Sequence, residues 1–513
     1  MTSSSASQGF YVVAALVTVI AAIYFYVTRK FNFWKNHRVA YVKPVPFFGS
    51  LKDLVLQKVS IGTYLKQVYD DHKGEPYVGI FSFDKPAVVV CDLDLIKNVL
   101  VKDASNFSDR VAAMDEGLDP LGARNLFVVN GDRWKHMRTH LSPTFTSGKM
   151  KTMFHLVDAC AKELVCCLDE ATVNGDRVEV KDAMARYTTD VIASCAFGID
   201  SNSLKNPNSE FRTQLRKVFE MSTVKSFALM LSFFVPGLLT SFRLSIIHDS
   251  VNKFTRETVW STVDYREKNG ITRRDFLDIM IELRRKGKQA NGKQKPVYQM
   301  DGDDFVAQAL SFMTAGFETS SSTISFTLYE LSLQPELQQR LRDDIVDVLN
   351  KHDHQLTYEA IQDMKYLDMV VSETLRKYPI LPFLDRRSFS KYQLPCTKSV
   401  TIPEGTSVYI PVLGLHYDPQ YFPEPDRFDP ERFSEENKVN RPAYCYLPFG
   451  EGPRFCIGMR FGLMQTKTGL IHILSRYEVA PCKDTPVPLV LDRKSFLVST
   501  KEGIPLSLKK IKT

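Results

Sequence analysis

The sequence has no internal repeat and no long low-complexity linker, which excludes a stacked-repeat array and leaves its 513 residues as one large domain with a short appendage. It also has no dense block of lysine or arginine. Its 66 basic and 59 acidic residues leave a formal charge of +7 spread along the chain, so no stretch suggests a groove that tracks nucleic-acid phosphates. Metal-ligand spacing is missing as well: the nine cysteines (Cys91, Cys160, Cys166, Cys167, Cys195, Cys396, Cys445, Cys456 and Cys482) include no CxxC or CxxxC pair. Their odd number and scattered spacing argue for reduced thiols in a domain that faces the cytosol. Most are expected to be small buried hydrophobes.

What is present begins at the N-terminus. From Phe10 to Val27 the sequence FYVVAALVTVIAAIYFYV runs for 18 residues with one polar member, Thr18, close to the length a helix needs to span hydrocarbon. A cleaved signal peptide is the alternative. Against it, no basic residue precedes the run, and bulky Tyr24, Phe25 and Tyr26 stand where a cleavage site wants small residues. A retained transmembrane anchor is therefore predicted. Arg29, Lys30, Lys35 and Arg38 all follow the run, which leaves the bulk of the chain in the cytoplasm. Pro44 and Pro46 then predict a stiff extended connection.

The rest reads as mainly α with a small β-rich part. Val78 to Val90 and Ser399 to Val412 are rich in β-branched and aromatic residues and predict strands. Met150 to Ala171, Phe305 to Leu333 and Tyr358 to Lys377 predict helices. After about Pro411 the chain turns proline- and aromatic-rich, with Pro419, Pro423, Pro425, Pro430, Pro442, Pro448 and Pro453 in succession. A long loop of this kind is usually functional.

The strongest chemical signal ends that loop: Phe449-Gly450-Glu451-Gly452-Pro453-Arg454-Phe455-Cys456-Ile457-Gly458, leading into a helical run from Met459. This setting suits a thiolate ligand to a flat cofactor. The glycines let backbone turn tightly, Arg454 can neutralise a carboxylate, and the amides of a following helix can donate to sulfur. A cysteine thiolate as axial haem ligand favours O–O cleavage. The bland alternative is a turn that ends in an ordinary core cysteine.

Three further features favour the first reading. Glu373 and Arg376, three apart on a helix flanked by Met369, Val370, Val371 and Leu375, predict a buried bidentate pair with Arg432 as third partner, a structural support for the loop. The 29-residue helix Phe305 to Leu333, about 43 Å long by its rise per residue, carries a polar notch, Ala315-Gly316-Phe317-Glu318-Thr319-Ser320. Gly316 would leave room for small ligands, and Glu318 with Thr319 would pass protons; a locally kinked Ser/Thr-rich helix is the alternative. Lastly, Trp134 and Arg138 fall on one helix face and can both donate to a propionate.

In this order, these segments resemble the cytochrome P450 superfamily from anchor to C-terminus. LSPTFTSGKM (Leu141 to Met150), MKYLDMVVSETLRKYP (Met364 to Pro379), PVLGLHYDPQYFPEPDRFDPERF (Pro411 to Phe433) and YLPFGEGPRFCIGMRFGLMQTK (Tyr446 to Lys467) are similar to insect microsomal enzymes of family six, in the clan shared with the vertebrate family-three drug oxidisers. Phe455 departs from the small polar residue of many relatives.

The resemblance implies a cytochrome P450 fold behind the N-terminal helix: residues 1–30 as anchor, 31–50 as a basic, proline-rich linker and 51–513 as the catalytic domain. It implies haem b, and electrons from NADPH through NADPH-cytochrome P450 reductase, with cytochrome b5 as a second donor. It further implies an endoplasmic reticulum membrane location and insertion of one oxygen atom from O2 into apolar small molecules, in detoxification of xenobiotics, insecticides or plant toxins. Carried to this sequence, Cys456 is the metal ligand, and Arg110, Trp134, Arg138, Arg386 and Arg454 hold the haem propionates. Glu318 and Thr319 supply protons. Phe127, Val128, Phe312, Ala315, Leu381, Phe383, Leu384, Phe496 and Leu497 face an apolar substrate. Two rivals remain: a same-fold isomerase or dehydratase that needs no reductase, against which the Glu318/Thr319 pair argues, and a non-catalytic haem-based ligand-binding protein.

Overall fold

The computed structural model describes residues 2–173, 175–289, 300–395 and 400–511; Cys396 and the predicted strand start Ser399 lie outside them. Helix α1 (Thr2–Thr28) contains the predicted apolar run, and from Gly9 onward it is exposed through nearly its whole length. Its Gly9–Thr28 stretch is long and apolar enough to cross a membrane.

Seven further helices frame the functional region: α2 (Gly131–Leu141), α3 (Ser147–Ala171), α4 (Val180–Ile192), α5 (Thr223–Phe234), α6 (Gly302–Ser332), α7 (Lys365–Lys377) and α8 (Met459–Leu474). Helix α6 starts a turn before the predicted Phe305. Asp301 caps it by accepting from the Gly302 N–H, and Asp303 and Asp304 add favourable charge in the first turn. Its Phe305, Phe317 and Phe326 are buried, each contributing roughly 2–3 kcal/mol by removal from water. Helices α4, α7 and α8 pack around it. Thr188 Oγ1 donates to Phe317 O at 3.1 Å, Thr327 Oγ1 to Thr374 Oγ1 at 3.0 Å, and Gln465 Nε2 to Gly316 O at 2.7 Å and Ser320 Oγ at 2.6 Å. The predicted single helix Tyr358 to Lys377 is instead two, Tyr358–Asp363 and α7, because the buried Met364 takes a non-helical ψ of 81° between them.

The β content is small, as expected. Strands β1 (Tyr77–Ser82), β2 (Lys85–Val90), β4 (Leu384–Arg387) and β7 (Ser407–Ile410) form one sheet in the order β1-β2-β7-β4, with only β2 and β7 parallel. β3 (Arg177–Glu179), β8 (Tyr477–Pro481) and β9 (Pro505–Lys510) make a second, and β5 (Tyr392–Leu394) with β6 (Val400–Ile402) a third. The first sheet matters here because β4 carries Asp385 and Arg386.

Residues 31–50, expected as a stiff extended connection, pack against the first sheet. Trp34 is fully buried and donates from Nε1 to Ile80 O at 3.0 Å, and a side chain on Gly79 would collide with its indole. Val42 N bonds Gly79 O at 3.0 Å and Ser50 N bonds Phe81 O at 2.9 Å, so the segment is stitched onto β1. An indole of this size gains more from a pocket in the sheet than proline stiffness gains by holding the segment away.

Candidate functional site

The Cys456 loop is built from local backbone chemistry. Gly450 and Gly452 have φ of +69° and +74°, a region other residues resist, and a side chain on Gly452 would strike Leu100 O. Phe449 O accepts from Cys456 N at 2.8 Å and Leu447 O from Gly450 N at 3.1 Å, which fixes the path of the turn. Burial pushes the Cys456 thiol up; the Gly458 N–H, Arg138 and Arg110 pull it down toward the thiolate. Yet Cys456 keeps accessible surface, and Phe455 is 42% exposed. The sulfur is thus crowded by its neighbours but not sealed off by them.

Helix α6 bears the same mark. Ala315 is exposed in mid-helix while Leu310, Met313, Phe317 and Ser320 around it are buried. Thr319, one turn on, is partly exposed and donates from Oγ1 to Ala315 O at 2.7 Å. Gly316 does not leave room for a ligand as expected: Ile192 Cδ1 lies 2.5 Å from where its Cβ would stand, so the missing side chain admits α4. Glu318, expected to pass protons with Thr319, is engaged by α4. Its carboxylate accepts from Lys181 Nζ on α4 at 2.6 Å and from Ser322 Oγ at 3.3 Å.

Arginines converge beside the loop. Arg110 pairs with the buried Asp385 at 2.8 Å, and its guanidinium lies 4.1 Å from the Phe127 ring centre. Arg386, fully buried, donates to Asp385 O at 2.8 Å. Arg454 donates to Ser108 O at 2.7 Å, Val129 O at 2.9 Å and Asn130 Oδ1 at 3.0 Å, with its guanidinium 3.9 Å over Trp134. Arg138 stacks 4.6 Å over Phe455. Burial, then repulsion from Arg110, depresses Arg386 to about 9; burial, then Arg110 and Arg386, depresses Arg454 to about 8. Among the described residues Arg454 Nη1 and Arg110 Nε have no hydrogen-bond partner. Buried cations that repel one another around one carboxylate call for an anionic occupant.

The expected structural trio sits behind the loop. Arg376 makes a bidentate pair with Glu373, 2.8 Å at both contacts, with both side chains fully buried, and Arg432 Nε lies 3.5 Å from Glu373 Oε1. Asp429 N adds a bond to Glu373 at 2.9 Å, and Arg376 also donates to His416 O and Arg427 O. Burial pushes the Glu373 carboxyl up against the pull of Arg376.

The scan of family models matches the cytochrome P450 model to residues 40–506. Cytochrome P450 6j1 of Blattella germanica is 51% identical over 97% of this chain and 97% of its own length, and cytochrome P450 6k1 of the same insect is 49% identical over 96% of each. The chain belongs to the cytochrome P450 family. A relative from Drosophila melanogaster, described as probable cytochrome P450 6a14, is 41% identical over 98% of this chain and 100% of its own length. This P450 is thus a monooxygenase of a haem-dependent family. The residues fit that cofactor: an accessible cysteine on a glycine turn stands beside two buried guanidinium groups, each with one nitrogen unpartnered among the described residues, that suit its two carboxylates.

The expected substrate-facing residues are placed unevenly. Leu384 lies 3.5 Å from the Cβ position of Gly450, so it reaches the loop. Phe383 and Phe496 meet on Phe233, at ring separations of 5.1 and 5.7 Å, with Leu497 buried beside Phe496 and Leu381 partly exposed. Val128 is buried next to Phe127. Phe312 differs: it packs on Phe145 and Phe276 at 5.4 and 5.5 Å inside an aromatic cluster, whereas Ser311, Thr314 and Ala315 carry the surface. Sequence reasoning missed Phe233, Ser311 and Thr314. The 3.6-residue period offers a signal for Ser311, which shares a stripe with Ala315 and Thr319.

Proposed function

We propose that this P450 is a membrane-anchored haem-thiolate monooxygenase that takes electrons from NADPH through NADPH-cytochrome P450 reductase, with cytochrome b5 as a second donor, and oxidises apolar small molecules. The accessible Cys456, beside buried arginines of which Arg110 Nε and Arg454 Nη1 lack a partner among the described residues, carries the reading. Cys456 would hold haem b at its iron, and Arg110, Trp134, Arg138, Arg386 and Arg454 would hold its carboxylates. Bound there, haem supplies the oxygen-activating chemistry, and a thiolate ligand favours O–O cleavage.

The chain's own residues bind, orient and move protons. Phe127, Val128, Ala315, Leu381, Phe383, Leu384, Phe496 and Leu497 orient an apolar substrate by excluding water. Thr319 holds a proton at Oγ1, and Glu318, released from Lys181, renews it. Detoxification of xenobiotics or plant toxins is supported by the likeness to insect family-six relatives. Reconstitution with the reductase and a panel of apolar compounds tests the whole: NADPH-dependent products carrying oxygen from O2 are expected, and ligand binding without product would make this a binding protein.

Thr319→Ala should keep haem and substrate affinity while product per NADPH falls about tenfold, below the full general acid–base range because water partly replaces a hydroxyl. The lost reducing equivalents should emerge as hydrogen peroxide. Since Thr319 Oγ1 bonds Ala315 O, a purely helical role predicts unchanged coupling, and that result would remove the assignment.

Residues 1–30 act as the anchor in the endoplasmic reticulum membrane, with the catalytic unit on the cytosolic side. Removing them should shift the protein from the carbonate-resistant pellet to the extract while haem content stays unchanged. A truncated protein that stays in the pellet places the attachment elsewhere.

A further inference from the structure

His416 is fully buried, and both of its ring nitrogens are used. Nδ1 faces Arg376 O at 3.0 Å, and Nε2 accepts from Leu447 N at 2.9 Å. A carbonyl can only accept and an N–H can only donate, so these partners assign the proton to Nδ1. Arg376 Nη1 returns a bond to His416 O at 3.1 Å, so α7 and His416 hold each other from both ends. The imidazole stacks on Tyr446 with centroids 5.2 Å apart and planes 25° from parallel, and Tyr446 Oη donates to Ser372 O at 2.9 Å. Burial, and then the Arg376 charge, hold the imidazole down at about 3, so it is neutral at working pH.

These contacts lie at the root of the Cys456 loop. Leu447 N donates to the imidazole, while Leu447 O accepts from Gly450 N and Phe449 O accepts from Cys456 N. The position of Cys456 is thereby referred to α7 through one side chain that bridges a carbonyl and an amide. Neither Glu373 nor Arg376 touches the loop backbone in this way; they bond the segment before it.

We propose that His416 is a positioning residue for Cys456: its Nδ1–H to Arg376 O and its Nε2 to Leu447 N set the depth of the loop and so the sulfur's seat at the metal. The inference rests on Cys456 being the metal ligand. Partners that orient ligands are typically worth about 10- to 100-fold in metal-site properties, so their removal should be readable in ligation and not only in stability.

The test uses the full-length, haem-loaded protein and three variants, His416→Gln, His416→Phe and Cys456→Ser. For each, haem per chain, the urea midpoint and the ferrous–carbon monoxide spectrum of the haem-retaining fraction are measured. His416→Phe keeps a ring against Tyr446 but neither bond. It should raise the ratio of neutral-ligand to thiolate-type Soret absorption about tenfold in the haem it retains. His416→Gln, whose amide can donate and accept, should restore most of the thiolate-type band. A wild-type spectrum in the Phe variant overturns the proposal. So does loss of haem in proportion to stability in both histidine variants, because that assigns His416 to packing alone. A thiolate-type band in Cys456→Ser defeats the ligand reading itself, independently of His416.

Discussion

Replacing Cys456 with serine is expected to abolish the red-shifted Soret band of the ferrous–carbon monoxide protein and all NADPH-dependent product, while the fold persists. The argument is geometric. The turn is set by the positive φ of Gly450 and Gly452 and by the Cys456 N to Phe449 O bond, none of which uses sulfur. Serine therefore keeps the loop but offers a hydroxyl, which is intrinsically far less acidic than a thiol and does not supply the thiolate that acts as metal ligand. Far-UV circular dichroism and the urea midpoint should stay near the parent values. A variant that keeps the band would move ligation to another residue.

Arg376→Leu is expected to have the largest effect on stability, a loss of about 3–5 kcal/mol, because it leaves the Glu373 carboxylate buried with only Arg432 at 3.5 Å and one backbone N–H. Removing both partners should hurt less than removing one. In Glu373→Leu/Arg376→Leu the uncompensated charge is gone, and well-packed apolar replacements of ion pairs are often close to neutral. Urea unfolding of the haem-loaded protein gives both values. A double variant as unstable as the single would show that the pair's bonds to His416 O and Arg427 O matter more than its charge.

What the sequence made readable was local. The glycine turn, the three-residue spacing of Glu373 and Arg376, the apolar N-terminal run and the stripe of α2 all depend on neighbours a few residues away. What stayed hidden depends on partners far along the chain. Glu318 and Thr319 are adjacent in sequence, but Lys181, 137 residues earlier, takes the Glu318 carboxylate. Phe312 looked suitable for a substrate because it is aromatic, yet the rings of Phe145 and Phe276 claim it. Phe233 sits in an apolar stretch with nothing to distinguish it from Phe227 or Phe234 until Phe383 and Phe496 arrive on either side. The chemistry of an arginine cluster is equally invisible: Arg110, Arg138, Arg386 and Arg454 become one charged site only when β4, α2, the Cys456 loop and the Arg110 segment that precedes α2 meet.

The burial of Trp34 has a mechanical consequence. Five residues separate the end of α1 at Thr28 from Trp34, a leash of about 20 Å at full extension, and Arg29 and Lys30 are further drawn to Asp84 in the β1–β2 turn at 3.8 and 3.7 Å. In the membrane-anchored protein proposed above, so short a tether would keep the catalytic unit close beneath the bilayer. A tug on the anchor would then be felt first by the sheet that holds Asp385 and Arg386.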